Sequence, residues 1–288
     1  MLVKANCLLG QKIVEKEKEL SEPKEYEVQV QGKLCGICGS DTAVFYGKEQ
    51  YLGDAMWGHE GLGIISKIGA KVTTVKVGDI VATFFHPSFW SYYNIPEDTV
   101  VKVPEISSKY IVQPISCPLN ALYEVGLENL KNKKILVIGS GFMAYIFSKY
   151  LDIFGINNVD YYGHYNEDLF KNRITEPTQE YDYVIKVSIT NDYDLILRAL
   201  KVGGTLVNYA TPRVDYSTNF FKWNWNSLKI IFPSPRGEHY KKAFQDCVQY
   251  ADSLDFDKFS KEWSITEMED AFVAENSKKG LVKNYIKF

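Results

Sequence analysis

The stretch that decides the fold is an apolar run ending in two closely spaced glycines, and it reads Ile135-Leu136-Val137-Ile138-Gly139-Ser140-Gly141-Phe142-Met143-Ala144. Four consecutive apolar residues predict a strand that is buried on both faces. The spacing of Ala144, Phe147 and Leu151 predicts a helix directly after the glycines. A strand, a Gly-x-Gly-x-x-Ala turn and a helix form the fingerprint of a dinucleotide site, in which Gly139 makes the tight turn and Gly141 lets the backbone approach a pyrophosphate.

The segments that follow extend this pattern into an alternation of strands and helices. Residues 159–162, 181–187 and 205–209 have the composition of buried strands, and residues 192–200 have helical spacing with glycines directly after them. Such an alternation predicts a parallel, doubly wound sheet. A doubly wound domain that binds no ligand remains an alternative on this evidence alone.

Two motifs upstream carry side chains that bind Zn²⁺ well, and they read Cys35-Gly36-Ile37-Cys38-Gly39-Ser40-Asp41 and Gly58-His59-Glu60. The segment between Cys38 and His59 is long enough to fold back, which allows both side chains to face one ion. Ser40 follows the thiol by two residues, so its hydroxyl is expected beside whatever the ion binds. Each motif alone is also typical of ordinary buried thiols and of a loop, so both interpretations stand at this point.

Composition limits the class of protein. The chain has 288 residues, 45% of them apolar and 24% charged, with a net charge of −3, which is ordinary for a globular protein and lacks the basic field of a nucleic-acid-binding one. No apolar run reaches the length of a membrane span, and five cysteines form no disulfide framework. We therefore expect a reduced, cytoplasmic protein that binds neither nucleic acid nor membrane.

Residues 1–110 hold short strands at the spacing of a small barrel.

A metal-type barrel followed by a dinucleotide-type domain resembles the zinc-dependent medium-chain alcohol and polyol dehydrogenases over nearly the whole chain. The match is carried by six segments in family order: 36–41, 58–61, 77–81, 113–114, 139–144 and 282–286. The resemblance implies an α/β fold, with a GroES-like β-barrel catalytic domain and a doubly wound Rossmann domain. We expect the barrel domain at residues 1–118 and 256–288, and the Rossmann domain at 119–255.

The resemblance also implies roles for particular residues. Cys38 and His59 correspond to ligands of the catalytic zinc, Glu60 to an acid that binds the ion or stays nearby, and Gln113 to a further ligand. Ser40 corresponds to the hydroxyl that takes the alcohol's proton, and Asp41 to the acid that orients the ligand histidine. The segment from Val81 to Phe89 lacks the four-cysteine lobe of many relatives, so one zinc per chain is expected.

The residues implied at the cofactor are Gly139, Ser140, Gly141, Phe142 and Met143 in the turn, Gly163 and His164 after the second strand, and Lys283 at the pyrophosphate. The position that holds a ribose-binding acid in NAD-preferring proteins is Gly163 here, which favours NADP over NAD. Lys171 and Arg173 are close enough in sequence to add positive charge. If the strand ends later, Asp160, Glu167 or Asp168 takes the ribose role instead.

The activity implied is hydride transfer between NAD(P) and a secondary alcohol or ketone of the polyol, sugar or cyclitol class, by a homodimer or homotetramer. One alternative is a zinc-free enone or quinone reductase of the same superfamily. The other is a non-catalytic nucleotide-binding homologue, because Lys186 in Ile185-Lys186-Val187-Ser188 replaces the acid that the family usually has there. Metal analysis and turnover of a polyol distinguish these possibilities.

Overall fold

The structure is a computed structural model that describes residues 1–9, 11–48, 57–84, 87–210, 218–235, 237–277 and 281–288. Within these ranges, no helix has both the length and the apolar character that a membrane crossing requires. The chain forms two compact units. The first contains Met1–Pro114, Phe244–Lys278 and Val282–Phe288, and the second contains Ile115–Ala243.

The strands of the described residues are β1 (Leu2–Leu9), β2 (Lys12–Glu19), β3 (Glu27–Gly36), β4 (Glu60–Ile68), β5 (Ile80–Thr83), β6 (Tyr92–Pro96), β7 (Val100–Lys102), β8 (Ile135–Ile138), β9 (Val159–Tyr162), β10 (Tyr181–Lys186), β11 (Leu200–Asn208), β12 (Lys229–Ile231), β13 (Ser260–Ser264) and β14 (Lys283–Lys287). The helices are α1 (Gly39–Phe45), α2 (Gln113–Val125), α3 (Leu127–Leu130), α4 (Phe142–Ile153), α5 (Tyr193–Ala199), α6 (Phe220–Trp225), α7 (Glu238–Asp246), α8 (Ala251–Leu254) and α9 (Met268–Ser277).

The first unit is built on a sheet of seven strands. Its order is β13-β14-β3-β4-β5-β7, with β6 paired to β3, and β1 and β2 form a separate hairpin. Apolar side chains of alternate positions fill one core, which includes Val28, Val30, Ile65 and Tyr93. β14 pairs with β3 so that Ile286 lies opposite Cys35, and the C-terminal segment therefore completes this sheet.

The second unit is a parallel sheet of five strands in the order β12-β11-β10-β8-β9. The four residues of β8 are all buried, as expected for a central parallel strand. The order reverses between β8 and β10, which is the topological switch point of a doubly wound sheet. The expected fold class, a GroES-like barrel with a Rossmann-like parallel sheet, is confirmed.

Several details differ from the sequence-based expectations. Gly203 and Gly204, expected as a helix stop, lie inside β11, where Gly203 has φ of +78°. Ser264 and Glu267 form a capping box directly ahead of α9. The two compact units divide after Pro114 and before Phe244, whereas the expected domain bounds are 118 and 256.

Candidate functional site

Cys38 is placed by the junction of β3 and α1. It is the residue before the first turn of α1, and its backbone N–H donates to Asp41 Oδ2 over 2.9 Å. The N–H of Asp41 in turn donates to the carbonyl oxygen of Cys38 over 3.0 Å. Because the Asp41 side chain is fully buried, these two bonds fix the backbone from which the thiol projects.

Three of the expected metal ligands come together. One ligand atom each of Cys38, His59 and Glu60 lies within 4.8 Å of the other two, and this is the one such group of Cys, His, Asp and Glu in the described ranges. His59 and Glu60 enter at the start of β4, which pairs with the end of β3. A thiolate, an imidazole and a carboxylate at this separation fit the donor set of a zinc ion.

Asp41 also faces the imidazole of His59. Asp41 Oδ1 lies 3.7 Å from His59 Nδ1, which leaves Nε2 as the nitrogen available to an ion. Burial lowers the pKa of His59, but the charges and hydrogen bonds of Asp41 and Cys38 outweigh this and raise the pKa well above its usual value. A second carboxylate that fixes the tautomer and orientation of a histidine ligand is the usual support of a metal site.

Glu60 is held by a lysine that lies far away in sequence. Lys283 Nζ lies 2.8 Å from Glu60 Oε1 and 2.6 Å from Oε2, and it donates to the carbonyl oxygen of Ile37 over 2.7 Å. Both side chains of this pair are buried. Gly36 makes room for the carboxylate, because a Cβ at that position would lie 2.0 Å from Glu60 Oε2.

Lys283, which the resemblance implies as a contact of the cofactor's pyrophosphate, is placed by the structure beside Glu60, and its role toward the cofactor stays a prediction. The ammonium donates to Glu60 Oε1 and to the carbonyl oxygen of Ile37, and its charge is paired with the same carboxylate through Oε2. Burial lowers the pKa of Lys283, and the charge of Glu60 is the largest effect that opposes it. The pKa of Lys283 therefore lies above its usual value. The ammonium is therefore a partner of the carboxylate at the metal cluster.

Two further expected residues lie near these elements in the chain. Ser40 is in the first turn of α1, half-buried, two residues after Cys38. Gln113 is the first residue of α2, and its side chain is buried. Their roles as proton acceptor and zinc ligand remain predictions.

The glycine-rich turn of the second unit has the shape that a dinucleotide needs. Gly139 follows β8 with φ of +132°, and a Cβ there would lie 2.7 Å from Val187 Cγ2. Gly141 is the residue before α4, a helix of 12 residues whose first N–H groups are available to an anion. Phe142 is buried, and Met143 Sδ accepts from the hydroxyl of Tyr209 at 3.2 Å. The backbone of this turn fits a pyrophosphate.

The loop after β9 folds onto this turn. The N–H of Tyr165 donates to Ser140 Oγ over 3.0 Å, and Asn166 Nδ2 donates to the carbonyl oxygen of Ser140 over 2.6 Å. A Cβ on Gly163 would lie 2.6 Å from Ser140 Cβ, so this position excludes a larger residue. His164 is exposed, with its ring edge-to-face with Tyr162 at 5.7 Å between centroids.

The charged residues around this loop have separate partners. Asp160 accepts from the hydroxyl of Tyr181 over 2.8 Å and lies 3.6 Å from Lys134 Nζ, so it is bound within the sheet. Lys171 pairs with Asp152 at 3.2 Å. Arg173 Nη2 donates to the carbonyl oxygen of Gly163 over 3.1 Å, which places a cation at the loop.

Sequence reasoning missed the pairing of Lys283 with Glu60 and the burial of Lys186. Lys186 is fully buried at the end of β10, and its only sequence signal was an unusual cation after two apolar residues. Trp57, which precedes Gly58, is part of the barrel core. Its ring packs on Phe272, and its Nε1 donates to the carbonyl oxygen of Asn6 over 2.7 Å.

Comparison with known proteins identifies the first unit. Residues 24–105 match the family described as "Alcohol dehydrogenase GroES-like domain". The probable D-xylulose reductase A of Aspergillus niger is 27% identical over 161 residues, which cover 43% of this chain and 43% of that protein. A highly reducing polyketide synthase of Didymella fabae is 37% identical over 82 residues, covering 28% of this chain and 4% of that protein. The chain thus spans less than half the length of the curated relatives it matches.

Solved structures match the entire chain in fold. A zinc-binding dehydrogenase from Sinorhizobium meliloti 1021, bound to NADP, has a TM-score of 0.81 at 18% identity, with 100% of both chains covered. S. aureus TarJ in complex with NADPH has a TM-score of 0.83 at 17% identity, with 100% of this chain and 99% of that chain covered. Residues 24–105 thus match the alcohol dehydrogenase GroES-like domain, and the whole chain shares the fold of these solved dehydrogenase structures.

Proposed function

We propose that this chain is a zinc-dependent oxidoreductase that exchanges a hydride between NAD(P) and a secondary alcohol or ketone of the polyol, sugar or cyclitol class. The observation that carries the proposal is the approach of Cys38, His59 and Glu60 to within 4.8 Å. A fold alone supports many functions, so this donor set bears the argument. The likeness of residues 24–105 to alcohol dehydrogenases and the D-xylulose reductase relative support the substrate class.

In this proposal each residue has one task. Cys38, His59 and Gln113 hold one zinc ion per chain, and Glu60 exchanges with water at the remaining position. When bound, zinc polarises the substrate oxygen as a Lewis acid. Ser40 accepts the proton of the alcohol, and Asp41 keeps His59 in the tautomer that presents Nε2.

The cofactor is held by the second unit. The nicotinamide supplies the hydride chemistry, while the protein provides binding and orientation. The backbone at Gly139 and Gly141 accommodates the pyrophosphate, with Ser140, Phe142 and Met143 forming the rest of the turn. This part of the proposal is supported by the positive φ and close packing at Gly139.

We further propose that NADP is preferred over NAD. Gly163 brings no carboxylate to the place where an acid would bind the ribose hydroxyls, and its contact with Ser140 leaves no room for one. Arg173 donates to the carbonyl oxygen of Gly163, so a cation lies at the loop that would meet a 2′-phosphate. Asp160, the nearest acid of β9, is bound to Tyr181.

We also propose that the chain forms a homodimer or homotetramer. Light scattering on purified protein measures the number of subunits. A reducing, cytoplasmic location is also proposed. It is supported by five cysteines that form no disulfide in the described ranges.

The direct test of the activity is turnover with a panel of pentitols, hexitols, inositols and their ketones, read by cofactor absorbance with NAD and NADP in both directions. We expect turnover of at least one secondary alcohol or its ketone. Zinc-loaded protein that binds the cofactor but converts none of them would favour the non-catalytic alternative. Turnover of enones or quinones by protein without zinc would favour the zinc-free reductase.

A further inference from the structure

Lys186 is a buried cation without a carboxylate partner at ion-pair distance among the described residues. It ends β10 and is fully buried. Its Nζ donates to the carbonyl oxygens of Ser188 and of Ala210, the latter over 3.0 Å. Its Nζ also lies 5.8 Å from the ring centroid of Tyr193. A buried charge is unfavourable unless it is paired and hydrogen-bonded; burial lowers the pKa of Lys186, and the charge of Asp192 offsets this only in part.

The backbone of Lys186 also binds the loop after β11. Its carbonyl oxygen accepts from the N–H groups of Tyr209 and Ala210, both over 3.1 Å. Ser188 follows β10, whereas Tyr209 and Ala210 follow β11. Lys186 therefore ties together the two loops that leave the carboxyl ends of these neighbouring strands.

This edge of the sheet is where the second half of a dinucleotide is expected. A doubly wound sheet binds dinucleotides outside the carboxyl ends of its strands, across the switch point. Here the switch point lies between β8, which carries the glycine turn, and β10, which ends at Lys186. The residues that follow β8 and β10 lie close together, since a Cβ on Gly139 would lie 2.7 Å from Val187 Cγ2. The adenosine half belongs over β9, so the nicotinamide half falls on the side of β10 and β11.

A second observation also indicates a ligand at this edge. Asn208 ends β11 opposite Lys186 and is 2% exposed. Its Nδ2 donates to the hydroxyl of Tyr193 over 3.0 Å, while its Oδ1 is buried and accepts no hydrogen bond from the described residues. A buried acceptor without a donor is unfavourable, and a donor on a bound ligand would satisfy it.

The two redox forms of the cofactor differ by one charge in the ring. The oxidised nicotinamide carries a positive charge, whereas the reduced ring is neutral. A fixed cation at this edge therefore repels the oxidised form and leaves the reduced form unaffected. A preference of roughly tenfold for the reduced form would correspond to about 1.4 kcal/mol of such repulsion.

We propose that Lys186 is a positioning and specificity residue that holds the loops after β10 and β11 and makes the site bind the reduced cofactor in preference to the oxidised one. The proposal rests on the nucleotide binding proposed above. It predicts that the site favours carbonyl reduction. In that direction the cofactor leaves as NADP⁺, which is the form that dissociates more readily.

The test is the pair of dissociation constants of NADPH and NADP⁺, measured by calorimetry on wild type, Lys186→Met and Lys186→Arg. We expect wild type to bind NADP⁺ about tenfold more weakly than NADPH. Lys186→Met, which removes the charge, should reduce the ratio of the two constants about fivefold relative to wild type, and Lys186→Arg should keep the wild-type ratio. Binding of 2′,5′-ADP, which lacks the nicotinamide, should be similar in all three proteins.

Different results separate the inference from the proposed function. An unchanged ratio in folded Lys186→Met, or a wild type that binds NADP⁺ as tightly as NADPH, would overturn the role of Lys186 alone. If Lys186→Met fails to fold, Lys186→Gln keeps a hydrogen-bond donor without the charge and replaces it. Absence of binding of any nucleotide to wild type, including NAD⁺ and NADH, would overturn the proposed function and this inference together.

Discussion

The carboxylate of Glu60 lies close to two different groups. It lies within the group formed with Cys38 and His59, and both of its oxygens lie within 2.8 Å of the ammonium of Lys283. A buried carboxylate without a cation would be strongly unfavourable, so Lys283 supplies the compensating charge when no other cation is present. The same carboxylate can approach an ion only by giving up part of this contact.

Cofactor choice is also decided by single residues. Arg173→Gln should weaken NADPH binding about five- to tenfold, because it removes a cation that would pair with the 2′-phosphate. Binding of NADH should change by less than about twofold, since NADH has no phosphate there. Calorimetry with both cofactors measures the difference.

The matched control is Lys171→Gln. Lys171 is close in sequence to Arg173, but its ammonium is paired with Asp152 at 3.2 Å. We expect this variant to bind both cofactors as wild type does. Equal weakening of NADPH and NADH by Arg173→Gln, or a wild type that prefers NADH, would argue against NADP as the cofactor. Gly163→Asp is unsuited to the test, because its Cβ would collide with Ser140.

The predictability of individual residues depends on how close their partners are in sequence. Cys38, His59 and Glu60 were found because short motifs present them together. The pairing of Lys283 with Glu60 was not predictable, because the two residues are 223 positions apart and nothing local in the sequence reveals the contact; the resemblance implies only a cofactor contact for Lys283.

At the scale of elements, a carboxylate joins two turns of the first unit. Glu97 Oε2 accepts from the N–H groups of Thr73 and Thr74 and from Thr74 Oγ1, over 2.9 to 3.2 Å. Burial alone would raise the pKa of Glu97, but these hydrogen bonds outweigh it and hold the pKa below its ordinary value. The ionised form is thus the one that stabilises the fold.

Glu97→Gln should therefore reduce the free energy of unfolding by about 1 kcal/mol at pH 7. Because the folded pKa is depressed, the contribution is complete above the ordinary value of about 4.3 and is lost as the pH falls through the folded pKa. Urea unfolding at pH 7 and at lower pH measures the gap between variant and wild type, which should narrow on acidification. Glu105→Gln, at an exposed acid, is the control. A gap that is the same at every pH would contradict the assignment.

Elements with strong periodicity were predictable, and those defined by tertiary pairing were not. β9 lies at residues 159–162 as expected, since its apolar composition is clear. The hairpin of β1 and β2 was not anticipated as a separate sheet, because β2 is largely a run of alternating Lys and Glu with few apolar residues. Gly203 and Gly204, expected to end a helix, lie in an irregular part of β11 between Leu200 and Thr205, which pair with Tyr181 and Tyr183 of β10.

At the scale of the whole molecule, the order of the two patterns along the chain determined the fold. A barrel-type segment precedes a dinucleotide-type segment, and the last strand, β14, returns to pair with β3. The division between the compact units falls inside α2, which continues from Gln113 past Pro114 without a break, so no turn or linker marks it in the sequence.

The central claim is that Cys38, His59 and their neighbours hold one zinc ion per chain. Elemental analysis of protein purified without chelator measures it most directly, on wild type, Cys38→Ser and Cys117→Ser. Cys117 Sγ contacts the hydroxyl of Tyr240 at 3.9 Å, so its variant controls for the loss of any thiol. We predict about one equivalent of zinc in wild type and Cys117→Ser, and little in Cys38→Ser, which should stay folded. Full zinc occupancy in Cys38→Ser, or none in wild type, would contradict the claim.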